Sequence, residues 1–222
     1  MSSQSFLLTI MLTLMLCISK AYIYDYLVLS IQWPPALCRA QPCTKYPATR
    51  FGVHGLWPNV YQGNDPSSCG GQFGVSFDPN VCYTPPLRND LNNIWPNYLG
   101  RNIDFWRHEW DIHGSCVQEV FNQNDYFIHA VAVFNAADIY NLLTSEAGIK
   151  PDFNKNLNPT MFKNAIASKL DNATPQLACS GGINGLPIEI KEIRICLNHL
   201  GDQYINCPRP DSNCGTSTVK WY

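Results

Sequence analysis

The sequence contains two histidine-bearing segments about fifty residues apart, Phe51-Gly52-Val53-His54-Gly55-Leu56-Trp57-Pro58 and His108-Glu109-Trp110-Asp111-Ile112-His113-Gly114-Ser115-Cys116. We call them the first and the second histidine segment. Together they hold three of the five histidines in the chain, and the second adds a carboxylate beside one of them. Imidazole exchanges protons near neutral pH because its unperturbed pKa is close to 6.5. The two segments therefore predict a site that performs acid–base chemistry.

If the second histidine segment is helical, its two histidines and Glu109 share one face with Ile112. Each residue of a helix advances about 100°, so with His108 at zero, Ile112 lies near 40°, Glu109 near 100° and His113 near 140°. An amphipathic helix with two incidental histidines is one alternative interpretation. A zinc site is another, but the zinc pattern on one helical face needs histidines four residues apart, and here the spacing is five. No metal or other cofactor is therefore expected.

The amino terminus has the pattern of a secretory signal. Residues 6–17 form an apolar run that is too short to span a bilayer, and Ser19-Lys20-Ala21 places small residues where cleavage is preferred. We predict a signal peptide over residues 1–21 and one mature domain over residues 22–222. No later segment is expected to cross a membrane. The expected location is outside the cell or in the vacuole, reached through the secretory pathway.

The cysteines agree with an oxidising compartment. Without Cys17 of the predicted signal, nine remain, an odd number that leaves one thiol unpaired in a disulfide framework. Asn172-Ala173-Thr174 is an acceptor sequence for N-glycosylation.

The charge balance argues against a protein that grips long nucleic acids. Fifteen basic residues face seventeen acidic ones, which gives a net charge of −2, and loss of Lys20 with the signal makes it −3. Proteins that bind polyanions over a wide surface normally carry clustered lysine and arginine. Contact with nucleic acid would then be confined to a catalytic site.

The residue patterns predict a mixture of strands and helices in irregular order. Residues 24–33 and 186–200 are predicted as strands, and residues 59–86 as irregular because they are dense in Gly, Pro, Asn and Ser. Helices are predicted over residues 87–99, 105–113, 125–144 and 159–170. Without a regular strand–helix alternation, the pattern favours an α+β fold over a parallel α/β sheet.

The two histidine segments, in this order and at this separation, resemble the paired active-site signatures of the ribonuclease T2 family. Gln32-Trp33-Pro34-Pro35, Trp95-Pro96-Asn97, Phe105-Trp106 and the cysteines Cys207 and Cys214 also fit the plant branch of that family, so the resemblance covers nearly all of the mature chain. It implies a single α+β domain with a central antiparallel sheet, flanking helices and four disulfides. The implied pairs are Cys38 with Cys43, Cys69 with Cys116, Cys179 with Cys214, and Cys196 with Cys207, which leaves Cys82 unpaired.

The resemblance also implies a reaction and residue roles. Single-stranded RNA would be cleaved without a metal by attack of the ribose 2′-hydroxyl on its own phosphate, which gives a 2′,3′-cyclic phosphate and excludes DNA as a substrate. His113 would be the base, His54 the acid and His108 a phosphate ligand, and Glu109 would position or stabilise the phosphoryl centre. The positions that match the family's base-binding residues are Gln32, Phe105, Asn92 and Ile94.

Ile112 departs from the family pattern, which usually has lysine at this position. A fixed cation there would face the charge that develops on the phosphate, and loss of one such group can cost on the order of 10²–10³ in rate. We therefore expect an attenuated ribonuclease. It is separately expected to be a monomer. Two alternatives stay open: a catalytically impaired storage protein, and a self-incompatibility recognition ribonuclease with a protein partner, which the acidic charge disfavours.

Overall fold

The computed structural model describes residues 23–181, 187–215 and 218–222. The predicted signal peptide and the predicted mature start at Tyr22 lie outside the described residues, as does the first residue of the predicted strand at 186–200. The described strands form one antiparallel sheet in the order β2-β1-β4-β3, and β5 pairs with the far end of β4. They are β1 (Tyr26–Gln32), β2 (Gly52–Asn59), β3 (Gln176–Ser180), β4 (Glu189–Asn198) and β5 (Tyr204–Ile205).

Eight α-helices are assigned among the described residues, together with a 3-10 turn over Gly114–Val117 and a π-helical turn over Leu142–Glu146. The α-helices are α1 (Pro34–Ala40), α2 (Gly70–Phe73), α3 (Pro79–Tyr83), α4 (Leu87–Ile94), α5 (Asn102–Ile112), α6 (Gln123–Ala137), α7 (Ile139–Asn141) and α8 (Pro159–Ala167). The α+β prediction is confirmed. The short helices α2 and α3 correct the prediction that residues 59–86 are wholly irregular.

Two predicted helices end earlier than expected, each for a local reason. The helix predicted over residues 87–99 ends at Ile94, because the residue before Pro96 is disfavoured in the helical conformation. The helix predicted over residues 125–144 is interrupted at Asp138, whose φ of 39° is left-handed. The chain then continues as α7 and the π-helical turn.

No segment after the signal was expected to cross a membrane, but by length and composition alone Gln123–Glu146 is long and apolar enough to do so. In the fold this segment belongs to the core. Tyr126, Phe127 and Ala130 are 0% exposed within the main hydrophobic cluster, and α6 packs on β1 and β2.

The four disulfides are Cys38–Cys43, Cys69–Cys116, Cys179–Cys214 and Cys196–Cys207, the same pairs that the resemblance implies. Cys82 is the free cysteine among the described residues. It is 0% exposed, and burial raises the pKa of its thiol to about 12, so the reactive thiolate is scarce at physiological pH.

Two β-bulges shape one face of the sheet. Between β1 and β2, Ser30 pairs with Gly55 and Ile31 with Val53, so His54 is the extra residue. Between β3 and β4, Ala178 pairs with Glu192 and Cys179 with Ile190, so Lys191 is the extra residue. A bulge redirects side chains locally and is common beside active sites. The opposite face of the sheet, with Leu29, Ile31, Val53, Ile193 and Ile195, faces the main hydrophobic core.

Candidate active site

The bulge at His54 places His54 and Trp57 on the same face of β2. Strict alternation from the buried Val53 would send Trp57 into the core, whereas the extra residue sends Leu56 there instead, at 0% exposure. The two rings contact each other edge to face, with centroids 5.0 Å apart. Two carbonyls of this edge strand accept side-chain hydrogen bonds: Trp95 Nε1 donates to His54 O and the Tyr126 hydroxyl donates to Leu56 O, both at 2.8 Å.

Glu109 lies buried beside the same indole. It projects from α5, is 1% exposed, and accepts a hydrogen bond from Trp57 Nε1 at 2.9 Å. Desolvation raises the pKa of Glu109 to about 7, against the opposing effects of the His54 charge and the Trp57 hydrogen bond. Gly55 makes room for this contact, since a Cβ there would overlap Glu109 Oε2 and Trp57 Nε1.

His113 contacts the indole of Trp57, with ring centroids 5.4 Å apart. It is the C-terminal cap of α5. The Cys69–Cys116 disulfide fixes the turn that follows, and the Ser68 N–H donates a hydrogen bond to Ile112 O, at the end of α5, at 2.8 Å. Desolvation, with the nearby charges of His108 and His54, lowers the pKa of His113 to about 4. The imidazole is therefore neutral, and able to accept a proton, in mildly acidic solution.

His54 has a buried partner that was not among the residues predicted from the sequence. Its Nδ1 lies 2.9 Å from Glu192 Oε1, and Glu192 is 3% exposed on β4. Burial by itself would raise the pKa of Glu192, but the hydrogen bond and charge of His54, with Arg194 and Lys191, lower it to about 2. The alternation of isoleucines and charged residues along β4 was the available signal, because it placed Glu192 and Arg194 together on the polar face.

A cavity of about 400 Å³ opens beside His54. Its lining includes His108, Gln32, Phe105 and Lys191, so one face of the bulged sheet and the exposed arc of α5 meet there. Phe105 stacks at a tilt against His54, with centroids 5.8 Å apart. Besides the ring of Phe105, the lining carries the imidazoles of His54 and His108 and the ammonium group of Lys191. Imidazolium and ammonium groups can bind a phosphate.

The Ribonuclease T2 family sequence profile matches residues 24–207. The chain belongs to the ribonuclease T2 family. Extracellular ribonuclease LE of Solanum lycopersicum is 33% identical over 228 residues, covering 95% of this chain and 94% of that protein. Ribonuclease S-7 of Nicotiana alata is 32% identical over 234 residues, covering 97% of each.

A solved T2 structure has the same fold. Ribonuclease MC1 from the seeds of bitter gourd superposes with a TM-score of 0.78 at 30% sequence identity, over 89% of this chain and 100% of that one. The plant T2 relationship expected from the sequence is thus confirmed, as are the antiparallel sheet and its flanking helices.

The four histidine-segment residues expected at a T2 site lie around Trp57 and the cavity beside His54. His54 and His113 contact the indole, Glu109 bonds to it, and His108 lines the cavity. Ile112 is half-buried at the end of α5 and brings no charge to the group. Arg107, the nearest cation before it in α5, packs over the Phe77 ring at 4.8 Å.

The four residues predicted to contact a base do not all line the same cavity. Gln32 and Phe105 line the cavity with His54 and His108. Ile94 lines a different cavity of about 380 Å³, and Asn92 is exposed, where its Oδ1 accepts a hydrogen bond from Asn102 Nδ2 at 2.7 Å. Asn172 is exposed, with a φ of 65°.

Within the described ranges, no group of three or more His, Cys, Asp or Glu side chains is arranged to hold a metal ion. His54 and His113 contact the Trp57 ring, and His54 also lies 2.9 Å from the carboxylate of Glu192. Two imidazoles placed in this way can perform acid–base chemistry.

Proposed function

We propose that this chain is a secreted endoribonuclease that cleaves single-stranded RNA by transphosphorylation, without a metal. The observation that carries the proposal is the pair of imidazoles that both contact the ring of Trp57 and lie in unlike environments. His54 is hydrogen-bonded to the buried carboxylate of Glu192, whereas desolvation lowers the pKa of His113 to about 4. Groups whose environments differ in this way are suited to act as an acid and a base in the same reaction.

In the proposed reaction, neutral His113 removes the proton of the ribose 2′-hydroxyl. The 2′-oxygen attacks the adjacent phosphorus, the bond to the 5′-oxygen breaks, and His54 delivers a proton to that leaving oxygen. The products are a 2′,3′-cyclic phosphate and a free 5′-hydroxyl. DNA lacks the 2′-hydroxyl nucleophile and is not cleaved.

Glu109 and His108 support the phosphate in this proposal. With a pKa of about 7, the buried Glu109 carboxyl is mostly neutral near pH 5, so it does not repel the anionic phosphate. His108 is exposed on the wall of the cavity, where it can donate hydrogen bonds to phosphate oxygens. Gln32 and Phe105 are proposed to contact a base in the same cavity, and Asn92 and Ile94 to contribute beside it.

Product analysis tests this function. We expect the protein purified from its source tissue to convert an RNA dinucleotide into a nucleoside 2′,3′-cyclic phosphate in the presence of excess EDTA. The matched dinucleotide with a 2′-deoxyribose should remain intact. Cleavage that leaves a 5′-phosphate, or that stops when EDTA is added, would contradict the proposal.

The pH profile provides a separate prediction. Because the pKa of His113 is lowered to about 4, about nine-tenths of this base is neutral at pH 5, compared with a few per cent for an unperturbed imidazole. We expect the acid limb of kcat/KM to fall near pH 4 in a titration from pH 3.5 to 8. An acid limb near pH 6.5 would mean that His113 is not the desolvated base.

The location, oligomeric state and glycosylation belong to the same proposal. Four disulfides are typical of proteins that fold in an oxidising compartment, which supports export through the secretory pathway to the cell exterior or the vacuole. We propose that residues 1–21 direct this export, that the mature protein acts as a monomer, and that the exposed Asn172 carries a glycan.

Ile112 favours a second candidate function, that of an impaired T2 relative kept as a storage protein. An isoleucine cannot supply the charge that lysine would bring to the phosphate. Turnover of yeast RNA at the level of buffer alone would favour storage, whereas a measurable rate would favour an attenuated enzyme. The third interpretation, a self-incompatibility ribonuclease with a protein partner, is disfavoured by the acidic charge and would require expression confined to the style.

A further inference from the structure

We infer that Glu192 is a positioning residue for the reaction: its carboxylate holds Nδ1 of His54 and leaves Nε2 as the nitrogen that exchanges a proton with RNA. This inference rests on the proposed role of His54 as the acid. It assigns a task to a buried acidic side chain that lies outside both histidine segments.

The contact between the two residues is short and spans the sheet. His54 lies on β2 and Glu192 on β4, with β1 between them, and Nδ1 lies 2.9 Å from Oε1. The residue of β1 that is paired with both Gly55 and Arg194 is the small Ser30. The extra residue in each bulge, His54 in β2 and Lys191 in β4, adjusts the two strands where this contact forms.

An ionised carboxylate has no hydrogen to donate, so Nδ1 of His54 must carry the proton in this hydrogen bond. The tautomer and ring orientation of the imidazole are thereby determined, and Nε2 is free. The negative charge also stabilises the protonated imidazole, which is the form that a general acid needs before it reacts.

Arg194 holds the other carboxylate oxygen. Its Nε and Nη2 lie 3.2 and 2.9 Å from Glu192 Oε2, and its guanidinium lies over the Trp57 ring at 5.5 Å. Each oxygen of Glu192 therefore has its own partner, and the carboxylate cannot rotate away from His54 without losing the hydrogen bonds of Arg194.

Several charged or titratable groups lie near His54, and Glu192 is the carboxylate that bonds to it. The side chains around the imidazole are Glu192, Lys191 and Arg194 from β4 and His108, Glu109 and His113 from the end of α5. Glu109 is held mostly neutral in mildly acidic solution. Asp104 lines the same cavity, but its two carboxylate oxygens accept hydrogen bonds from Arg101. Glu192 is therefore the anion that is hydrogen-bonded to His54 in mildly acidic solution.

The test compares Glu192→Gln with the parent protein on an RNA dinucleotide. Glutamine keeps the size and a carbonyl acceptor but removes the charge. We expect kcat to fall about tenfold with KM little changed, and the alkaline limb of the pH profile to move about one unit lower, since a nearby opposite charge shifts an ionisation by at least that much. An unchanged kcat and pH profile in a folded Glu192→Gln protein would overturn the inference.

Glu189→Gln is the matched control. Glu189 is on the same strand, 7% exposed, and paired with Arg39, so its loss also removes a partly buried ion pair from β4. We expect it to reduce thermal stability without moving the pH profile. If Glu189→Gln moved the alkaline limb as far as Glu192→Gln did, the role of Glu192 would be merely structural.

An NMR measurement gives a readout that does not depend on activity. The Nδ1–H proton resonance of His54, assigned by its loss in His54→Asn, should lie further downfield in the parent than in Glu192→Gln, because a hydrogen bond to a charged acceptor is stronger than one to a neutral amide. If the parent showed no RNA cleavage while this difference was present, the proposed function would fail and the positioning contact would stand. If the parent cleaved RNA and the resonance did not move in Glu192→Gln, the inference would be wrong and the function would stand.

Discussion

Replacing His113 by alanine is expected to lower kcat/KM for an RNA dinucleotide by about 10²–10⁴-fold, the usual contribution of a positioned general base. The neighbouring titratable groups are otherwise engaged: Glu109 is 1% exposed and hydrogen-bonded to Trp57, and His108 lines the cavity beside His54, where it is proposed to hold the phosphate. The rate should be measured below saturation at pH 5, where His113 is neutral in the parent.

A histidine outside the site provides the control for this substitution. His199 follows the end of β4, away from the residues that line the cavity beside His54, and His199→Ala should leave kcat/KM within about twofold of the parent. Thermal unfolding should show that both variants are folded. A His113→Ala protein that retained more than a tenth of the parental rate would show that another group acts as the base.

Ile112→Lys is expected to raise kcat by about 10²–10³-fold, because it would supply the cation that T2 ribonucleases usually have at this position. Ile112 is the last residue of α5, directly before His113, and it is half-buried on the side of the helix that carries His108 and Glu109. A lysine in the last turn also interacts favourably with the carboxyl end of the helix, by about 0.3–1 kcal/mol, so the variant should fold.

The uncharged comparison for this variant is Ile112→Met. Methionine resembles lysine in length and flexibility but has no charge, so it should leave kcat near the parental value. The two variants should be assayed side by side at low and high salt, since the gain from lysine should shrink as the salt concentration rises. If Ile112→Lys showed no gain over the parent, the idea that isoleucine attenuates this enzyme would be wrong.

Much of the fold was predictable because it depends on short-range patterns. The run of β-branched and aromatic residues in β1, the partial alternation in β4 and the helical spacing in α6 can be recognised in any short window of the sequence. The helix boundaries that were predicted wrongly depend on the backbone conformation of single residues. Asp138, for example, is left-handed and interrupts the helix predicted over residues 125–144. Helix propensity in the sequence does not reveal where tertiary packing will bend the chain.

By itself, the sequence determined which chemistry this protein is equipped for and which family it belongs to, because His54, His108, Glu109 and His113 lie in two short motifs. The lack of a charge at Ile112 was equally plain from the sequence. Only the tertiary structure decided the electrostatic environment of each group. Glu192 is 138 residues from His54 along the chain, and the two residues meet where β2 and β4 each contain a β-bulge. The low pKa of His113 comes mainly from burial. Such effects arise from distances and solvent exclusion between distant segments, which no local pattern specifies.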